Sequence, residues 1–580
     1  MKTIRFTMAL ACLAAYANAT IYEAEDATLS GTVTAESDSA SGGAYVKLQS
    51  GSITFDVIAD SAGMYDVDVY YSGYENYKIQ YLYVNGTSVA QLEFDSTGLT
   101  FDNMVTTTVK LSSGSNTVAI IASWGCTYFD YIEVEKHVTE PFTLSDEPVT
   151  SGATTAARKL YSFLKENFGT KTISGVMTGK IDFEYDYDNF ALTSYTDFKE
   201  QTDPATVYSK SGYYPALIGF DFLFATGLEG DTNHWYMGYT ETAVNLANDL
   251  WNAGGIPAFT WHWKDPSDSV DAFYVSGAGT PYTTFDFTEG FVSGTTTWDT
   301  TSEIYQDIVE DIDHVASFFL SLQADSVACL FRPIHESGGA WFWWSTHTGE
   351  EFAALYQLMY NRMVNVDGVK NVVWVFNPQD ASYTGWDPGS SYYDVLSVDI
   401  YNDYYDNQSN ASDFNALVTS FGQSKILALS ENGPIPDIDS MSVDGAIWSW
   451  WMPWYESWSG GHVSKTADSV WVSNMEDDRV ISLGKMPGWA NVNVATKTVV
   501  SASVVLSAQL QGKSLLVTTS VSGTADIALF NIQGAQAASL HKGSLSAGTH
   551  KFELGGLSQG VYVLRASGSL GAYMQTLVME

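Results

Sequence analysis

Two short stretches carry side chains that can do acid–base work. FRPIHESGGAWFWW, Phe331 to Trp344, holds Arg332, His335 and Glu336 within an apolar run, and ALSENG, Ala428 to Gly433, holds Glu431. Arg, His and Glu are almost never fully buried without specific partners, so three of them in five positions require a reason other than packing. Two carboxylates brought face to face can divide an acid and a nucleophile role between them if their surroundings push their pKa values apart. Arg332 supplies a cation that keeps Glu431 charged. The sequence offers no competing chemistry of the usual kinds: no His, Cys and Asp set has zinc-site spacing, and no glycine-rich phosphate loop precedes a helix.

These residues need elements to position them. From about Thr154 apolar strands alternate with amphipathic helices, and Ala156, Leu160, Leu164 and Phe168 share one face of the first helix at i, i+4 spacing. Eight strands follow, in TISGVMTG, PALIGFDF, GIPAFTWHW, VACLFRPIHE, NVVWVFNPQD, DVLSVDIYND, KILALSENG and GAIWSWWMPWY. This predicts a (β/α)8 TIM barrel over residues 154–490 with loop insertions. In that fold the substrate lies over the C-terminal strand ends. There the polar residues collect: Asp221, His262, His335, Glu336, Asp399, Tyr401 and Glu431, with Trp448, Trp450 and Trp451 on the eighth strand. Glu336 and Glu431 end strands four and seven, so they face each other across the mouth. Carboxyl groups about 5 to 5.5 Å apart are what retaining glycoside hydrolysis needs, one attacking the anomeric carbon while the other protonates the leaving oxygen. The structural alternative for the pair is an ion-pair network around Arg332. Trp343, Trp344 and Trp448 suit core packing as well as they suit sugar platforms.

RPIHESGGAWFWW and ALSENG, with WHW on strand three and VDIY on strand six, resemble glycoside hydrolase family 26, whose typical members are endo-β-1,4-mannanases of the 4/7 retaining superfamily. The resemblance covers roughly Thr154 to Pro487. It implies that Glu336 is the acid/base and Glu431 the nucleophile. His335 then hydrogen-bonds the nucleophile or the substrate, His262 binds the distorted sugar, Tyr401 donates its hydroxyl to the nucleophile, and Trp341 and Trp450 wall the cleavage point. Arg332 and Asp399 complete the substrate-binding shell. Strand three departs from the family's common pattern in reading WHWKDPS, which loosens the register of the His262 loop. The implied function is a secreted endo-acting β-1,4-mannanase that hydrolyses mannan, glucomannan or galactomannan with retention, by double displacement and without a cofactor for catalysis. The alternatives are another activity of the family (mixed-linkage β-glucanase, xylanase or exo-acting release of mannobiose) or polysaccharide binding without catalysis.

The flanks read differently. Residues 20–136 alternate apolar and polar at period two, as in MYDVDVYYSG and IQYLYVNGTSVAQLEF, which predicts a β-sandwich, and residues 137–153 read as a linker. IYEAEDATLSG, SGGAYVKL, YVNG and WGCTYFDYIEV resemble carbohydrate-binding module family 35, a calcium-containing sandwich. By that resemblance Glu23, Glu25 and Asp130 offer calcium the hard oxygen ligands it prefers. Trp124, followed by Gly125, is the candidate for stacking on a sugar. Residues 491–580 predict a small all-β domain. Their last stretch, LGGLSQGVYVLRASGSLGAYMQTLVME, resembles the sorting domains of type IX secretion systems and implies contact with a secretion machinery. MKTIRFTMALACLAAYANAT reads as a secretory signal over residues 1–19, cleaved after Ala19, which places the protein outside the cell or at its surface.

Composition bounds the partners. Asp and Glu number 67 against 26 Lys and Arg, and the resulting formal charge of -41 repels phosphate backbones and disfavours nucleic acid. A hydrophobic fraction of 45% separates the chain from disordered acidic sequences, and 580 residues exceed one core, so the fold class is multidomain. No stretch beyond the leader is long and apolar enough to span a membrane. Cys126 and Cys329 fall in different predicted domains, so no disulfide framework is expected.

Overall fold

A computed structural model describes residues 19–73, 77–95, 98, 100–137, 141–227, 237–458, 460–494, 506–519, 522–531, 536–557, 559–567 and 573–579. The leader expected at the start of the chain lies outside the described residues up to position 18. The chain divides into two compact units, Met1–Val494 and Ala495–Glu580.

The first unit begins with a sandwich of two antiparallel sheets. One orders Val33–Glu36, Ala44–Leu48, Thr127–Lys136, Gly63–Ser72 and Asn103–Leu111, with Thr20–Glu23 also paired to Thr127–Lys136. The other orders Thr28–Ser30, Ser52–Ala59, Gly114–Trp124, Lys78–Val84 and Thr87–Phe94. Period-two alternation decides what each strand buries: in Gly63–Ser72 the side chains of Tyr65, Val67, Val69 and Tyr71 enter the core while Asp66, Asp68 and Tyr70 point away. Asn85 and Gly86, both left-handed at φ 51 and 84°, make the tight turn between Lys78–Val84 and Thr87–Phe94. Lys110 Nζ reaches Asp444 Oδ2 at 2.8 Å, which pins this sandwich to the domain that follows.

That domain is a parallel barrel of eight strands: β1 (Thr172–Met177), β2 (Leu217–Asp221), β3 (Ile256–Thr260), β4 (Cys329–Arg332), β5 (Val372–Phe376), β6 (Val395–Ile400), β7 (Ile426–Asn432) and β8 (Trp450–Trp451). The ladder runs β7-β6-β5-β4-β3-β2-β1-β8, and a single bridge from Asn432 to Pro453 joins β7 to the end of β8. Every residue of β2, β3, β4, β5 and β7 is buried, as strands covered on both faces must be. The first helix, Thr155–Asn167, starts where the Thr154 hydroxyl accepts the Ala157 N–H and buries Leu160 and Leu164.

Two features depart from eight plain β/α repeats. The link from β5 to β6 has only a 3-10 turn at Thr384–Trp386; its sequence, NPQDASYTGWDPGSSYYD, is rich in Gly, Pro, Ser and Asp and lacks a 3.6-residue apolar period. The expected long eighth strand is regular for only two residues: Pro453 keeps a single bridge to Asn432, and the turn after it leaves the ladder.

The second unit is all-β. Leu506–Gln511, Ser514–Thr519 and Gly548–Glu553 form one sheet, and Gln536–Leu545, Gly523–Asn531, Gly560–Ser567 and Tyr573–Met579 form another. Leu515, Val517, Ile527, Leu529 and Leu564 fill its core. Among the described residues Cys126 and Cys329 are free, and no helix is long and apolar enough to cross a membrane.

Candidate active site

The chain leaves β4 at Arg332 and turns sharply. Ile334 and Glu336 both adopt left-handed backbone, at φ 36 and 54°, a conformation that costs non-glycine residues energy and recurs at functional sites. Surrounding bonds hold it. The Glu336 N–H donates to Asn377 Oδ1 at 2.9 Å, and Trp344 Nε1 donates to the His335 carbonyl at 2.8 Å. The two glycines that follow are required by close approach: a Cβ on Gly338 would lie 2.1 Å from the Tyr383 ring, and one on Gly339 would lie 2.3 Å from Trp341. Packed that way, Trp341 donates its Nε1–H to Glu336 Oε2 at 2.6 Å.

Opposite, β7 delivers Glu431. Arg332 Nη2 and the Tyr401 hydroxyl each donate to one of its oxygens. Arg332 Nη1 also donates to Asp399 Oδ2 at 3.0 Å. Asp399 owes its place to a register shift in the β6–β7 ladder after Val398, which sets it beside Glu431. Ser430 Oγ and Asn377 Nδ2 donate to Asp399 Oδ1 at 2.8 and 3.0 Å. One oxygen each from Glu336, Asp399 and Glu431 lie within 4.8 Å of one another. Such a cluster could hold a cation, but the Arg332 guanidinium already supplies one.

The surroundings separate the two glutamates. Burial, then the negative Asp399 and Glu431, push Glu336 far above the usual carboxylate range. Burial raises Glu431 as well, but the Arg332 charge and the Tyr401 hydrogen bond oppose it, so Glu336 is the more strongly raised of the pair. These are coupled groups, and the first proton the pair takes up sits on Glu336. His335 is held well below its ordinary range by burial, with Arg332 and His262 adding to the effect, so its ring is neutral. The Thr260 hydroxyl donates to the Arg332 carbonyl at 3.2 Å, which turns its lone pairs toward His335 Nδ1, also at 3.2 Å.

Above this floor lies an open cleft of about 710 Å³, lined by His262, His335, Glu336, Trp341, Tyr401 and Glu431 together with Tyr274, Phe342 and Trp454. Asp221 grips His262 twice, accepting the backbone N–H at 3.0 Å and pairing with Nδ1 at 2.6 Å. An arrangement of one protonated and one hydrogen-bonded, charge-paired carboxylate across an open groove can donate a proton to a leaving oxygen and attack the carbon behind it.

Three sequence-based assignments need correction. Trp450 is not a wall of the cleft: it is 2% exposed and fills the barrel interior beside Met177 and Met452, while Trp454, past the end of β8, takes the wall position. Arg332 and Asp399 are not substrate contacts: both are buried below the cleft floor and act on Glu431. For His335, expected to meet the nucleophile or the substrate, Nε2 stands 4.0 Å from Glu431 Oε1, too far for a hydrogen bond, which leaves it facing the cleft on the substrate side. Asn377 was missed although it carries the same signal as the others, a polar residue just past an apolar strand. Tyr274 gave no signal, since it lies in the long insertion between β3 and the next helix.

Residues 149–477 match the glycosyl hydrolase family 26 profile, more than half of the chain. The chain belongs to that family. Residues 20–137 match carbohydrate-binding module family 35. The chain is similar to mannan endo-1,4-beta-mannosidase B of Piromyces sp, 31% identical over 76% of this chain and 72% of that protein. Among solved structures it is similar to the Podospora anserina GH26-CBM35 beta-(1,4)-mannanase, at 27% identity and TM-score 0.57 over 81% of this chain and 99% of that one. It is also similar to the beta-mannanase from a symbiotic protist of the termite Reticulitermes speratus, at 33% identity and TM-score 0.52 over 60% of this chain and all of that one.

The family 26 barrel is preceded by a second cluster of acids. In the N-terminal module Glu23, Glu25 and Asp130 gather around Ser41 and Gly42: Ser41 Oγ donates to Glu23 Oε1 at 2.7 Å and Ser41 N–H to Asp130 Oδ2 at 3.1 Å. A Cβ on Gly42, left-handed at φ 63°, would meet Glu25 Oε1 at 2.5 Å. Glu23 Oε2, Glu25 Oε2 and Asp130 Oδ1 are buried without hydrogen-bond partners. Burial, then Glu23 and Glu25, push Asp130 up to about 6. Buried, unpartnered carboxylate oxygens fit a hard cation. Trp124, at the end of its strand, is 57% exposed, with the Tyr77 ring 6.4 Å from its own.

Proposed function

We propose that the protein is an endo-acting β-1,4-mannanase that works by double displacement with retention, Glu431 serving as nucleophile and Glu336 as acid/base. The observation that carries this reading is the pair itself: oxygens of the two glutamates within 4.8 Å, close to the retaining separation and short of the roughly 6.5–9.5 Å at which inverting enzymes hold theirs. In the first step Glu431 attacks the anomeric carbon while Glu336 gives its proton to the glycosidic oxygen, and the reducing-end fragment leaves. In the second, the Glu336 carboxylate takes a proton from water, whose oxygen attacks the same carbon and releases Glu431. His262, His335, Trp341 and Trp454 hold the sugar over the pair, and Tyr401 and Arg332 keep Glu431 ionised between turns.

The relatives' mannanase activity supports β-mannan as the polymer. Incubation with mannan, glucomannan, lichenan and xylan, with sizing of the products, tests it. Medium-length oligosaccharides from the mannans are expected early, and no new reducing ends from any mannan would overturn the reading.

The N-terminal module would bring the barrel to the polymer, with Trp124 stacking on a sugar. Calcium held by Glu23, Glu25 and Asp130 would neutralise their charges and order the Ser41–Gly42 turn. Export rests on the leader-like start and on the resemblance of the C-terminal domain to secretion sorting domains. Truncation after residue 490, which keeps the leader, should leave the enzyme cell-associated instead of released, and undiminished release would contradict that role.

A further inference from the structure

We propose that Tyr404 and Tyr405 form an outlying sugar subsite that continues the catalytic cleft, taking a pyranose unit of the same β-1,4-linked backbone. This deepens the mannanase reading and rests on it. The two residues lie on the loop that leaves β6, three and four positions after Tyr401, whose ring lines the cleft and whose hydroxyl meets Glu431. Chain geometry keeps Tyr404 within roughly 11 Å of Tyr401. The two residues are 61% and 63% exposed, among the most exposed large hydrophobic residues described, and their ring centroids are 6.0 Å apart. Tyr rings present an apolar face and a polar tip, the combination that suits the apolar face and hydroxyl rim of a pyranose.

The loop is held by the 462–465 segment. His462 packs edge-on against Tyr401 with centroids 5.2 Å apart, and three residues on Lys465 Nζ sits 5.7 Å from the Tyr404 ring centroid. Matched contacts, three apart on both strands of chain, therefore clamp the loop to the 462–465 segment. The Tyr405 N–H donates to the Lys465 carbonyl at 2.8 Å, and Tyr405 takes left-handed backbone at φ 64°. A strained tyrosine fixed by a backbone bond, with its ring left to solvent, is poorly explained as packing. Nearness along the chain to Tyr401, which lines the cleft, favours the polymer that the cleft would bind over a separate partner.

The test compares kcat/KM on mannohexaose and mannotetraose for the full chain and for the Tyr404→Ala/Tyr405→Ala double variant. The hexaose-to-tetraose ratio should fall about fivefold or more in the variant, the scale of one lost aromatic contact. A Tyr404→Phe/Tyr405→Phe variant, which keeps both ring faces, should hold the ratio near the parent's. An unchanged ratio in the alanine variant overturns the subsite, as does a phenylalanine variant that loses the ratio equally. If the parent chain itself releases nothing from either oligosaccharide, the mannanase reading fails instead, so the two failures are distinguishable.

Discussion

The barrel mouth and the N-terminal module each gather three acids, and they resolve the crowding in opposite ways. At the mouth, Glu336, Asp399 and Glu431 surround Arg332, and Trp341, Tyr401, Asn377 and Ser430 donate to three of the four oxygens that Arg332 leaves. In the module, Glu23, Glu25 and Asp130 have no cationic side chain among their hydrogen-bond partners and leave three buried oxygens unpartnered. A cluster that contains its own cation can dedicate its one remaining proton to chemistry. A cluster without one has a stable charged form only when a cation arrives from outside.

Removing a carboxylate from the mouth should therefore destroy activity, whereas disturbing the module should change stability and polymer targeting alone. The largest effect is expected for Glu431→Ala, where kcat should fall by about five orders of magnitude with the melting temperature little changed. Azide, entering from the vacated side, should partly restore turnover and give a glycosyl azide of inverted configuration; a variant of near-normal rate would eliminate Glu431 as nucleophile. Next comes Glu336→Ala, expected to lose about 10²- to 10⁴-fold, less on substrates with good leaving groups. There azide should yield product of retained configuration.

Tyr401→Phe sharpens the electrostatic half of the comparison. Its hydroxyl donates to Glu431 and so favours the anion. Removing it raises the Glu431 pKa, and the acid limb of the pH–rate profile should move to higher pH. Rate should fall about 10- to 100-fold, the scale of one hydrogen bond to a charged group. A limb that stays in place would mean that Arg332 alone sets the charge of Glu431. The smallest effect is reserved for the module: in calorimetry of the full chain, calcium should raise the module's transition by roughly 5–10 °C and a chelator should reverse it, with kcat on a soluble oligosaccharide unchanged. A transition indifferent to both would leave the three orphaned oxygens without a cation.

Much of the mouth was legible because strand ends in this fold have one job, and polar residues at the end of apolar runs stand out. Arg332, Asp399 and Glu431 lie on their strands as the pattern requires. Glu336 does not, since β4 ends at Arg332 and left-handed turns at Ile334 and Glu336 aim it. Sequence periodicity carries no record of such turns. The run of tryptophans in IWSWWMPWY showed that the eighth strand is aromatic but not which ring faces the cleft. Trp450, on the two-residue strand, turns inward, and Trp454, past its end, lines the cleft. Nor could the β5–β6 link be read as irregular while eight full repeats were the expectation, although its Gly, Pro and Asp content pointed that way.

The central claim is that Glu336 and Glu431 act as a retaining pair on β-mannan. Proton NMR of the first oligosaccharides released from mannan, recorded before mutarotation, tests it most directly. The account predicts that the new reducing ends appear first as the β-anomer, with the α-anomer growing in later by mutarotation. Initial appearance of the α-anomer would contradict it.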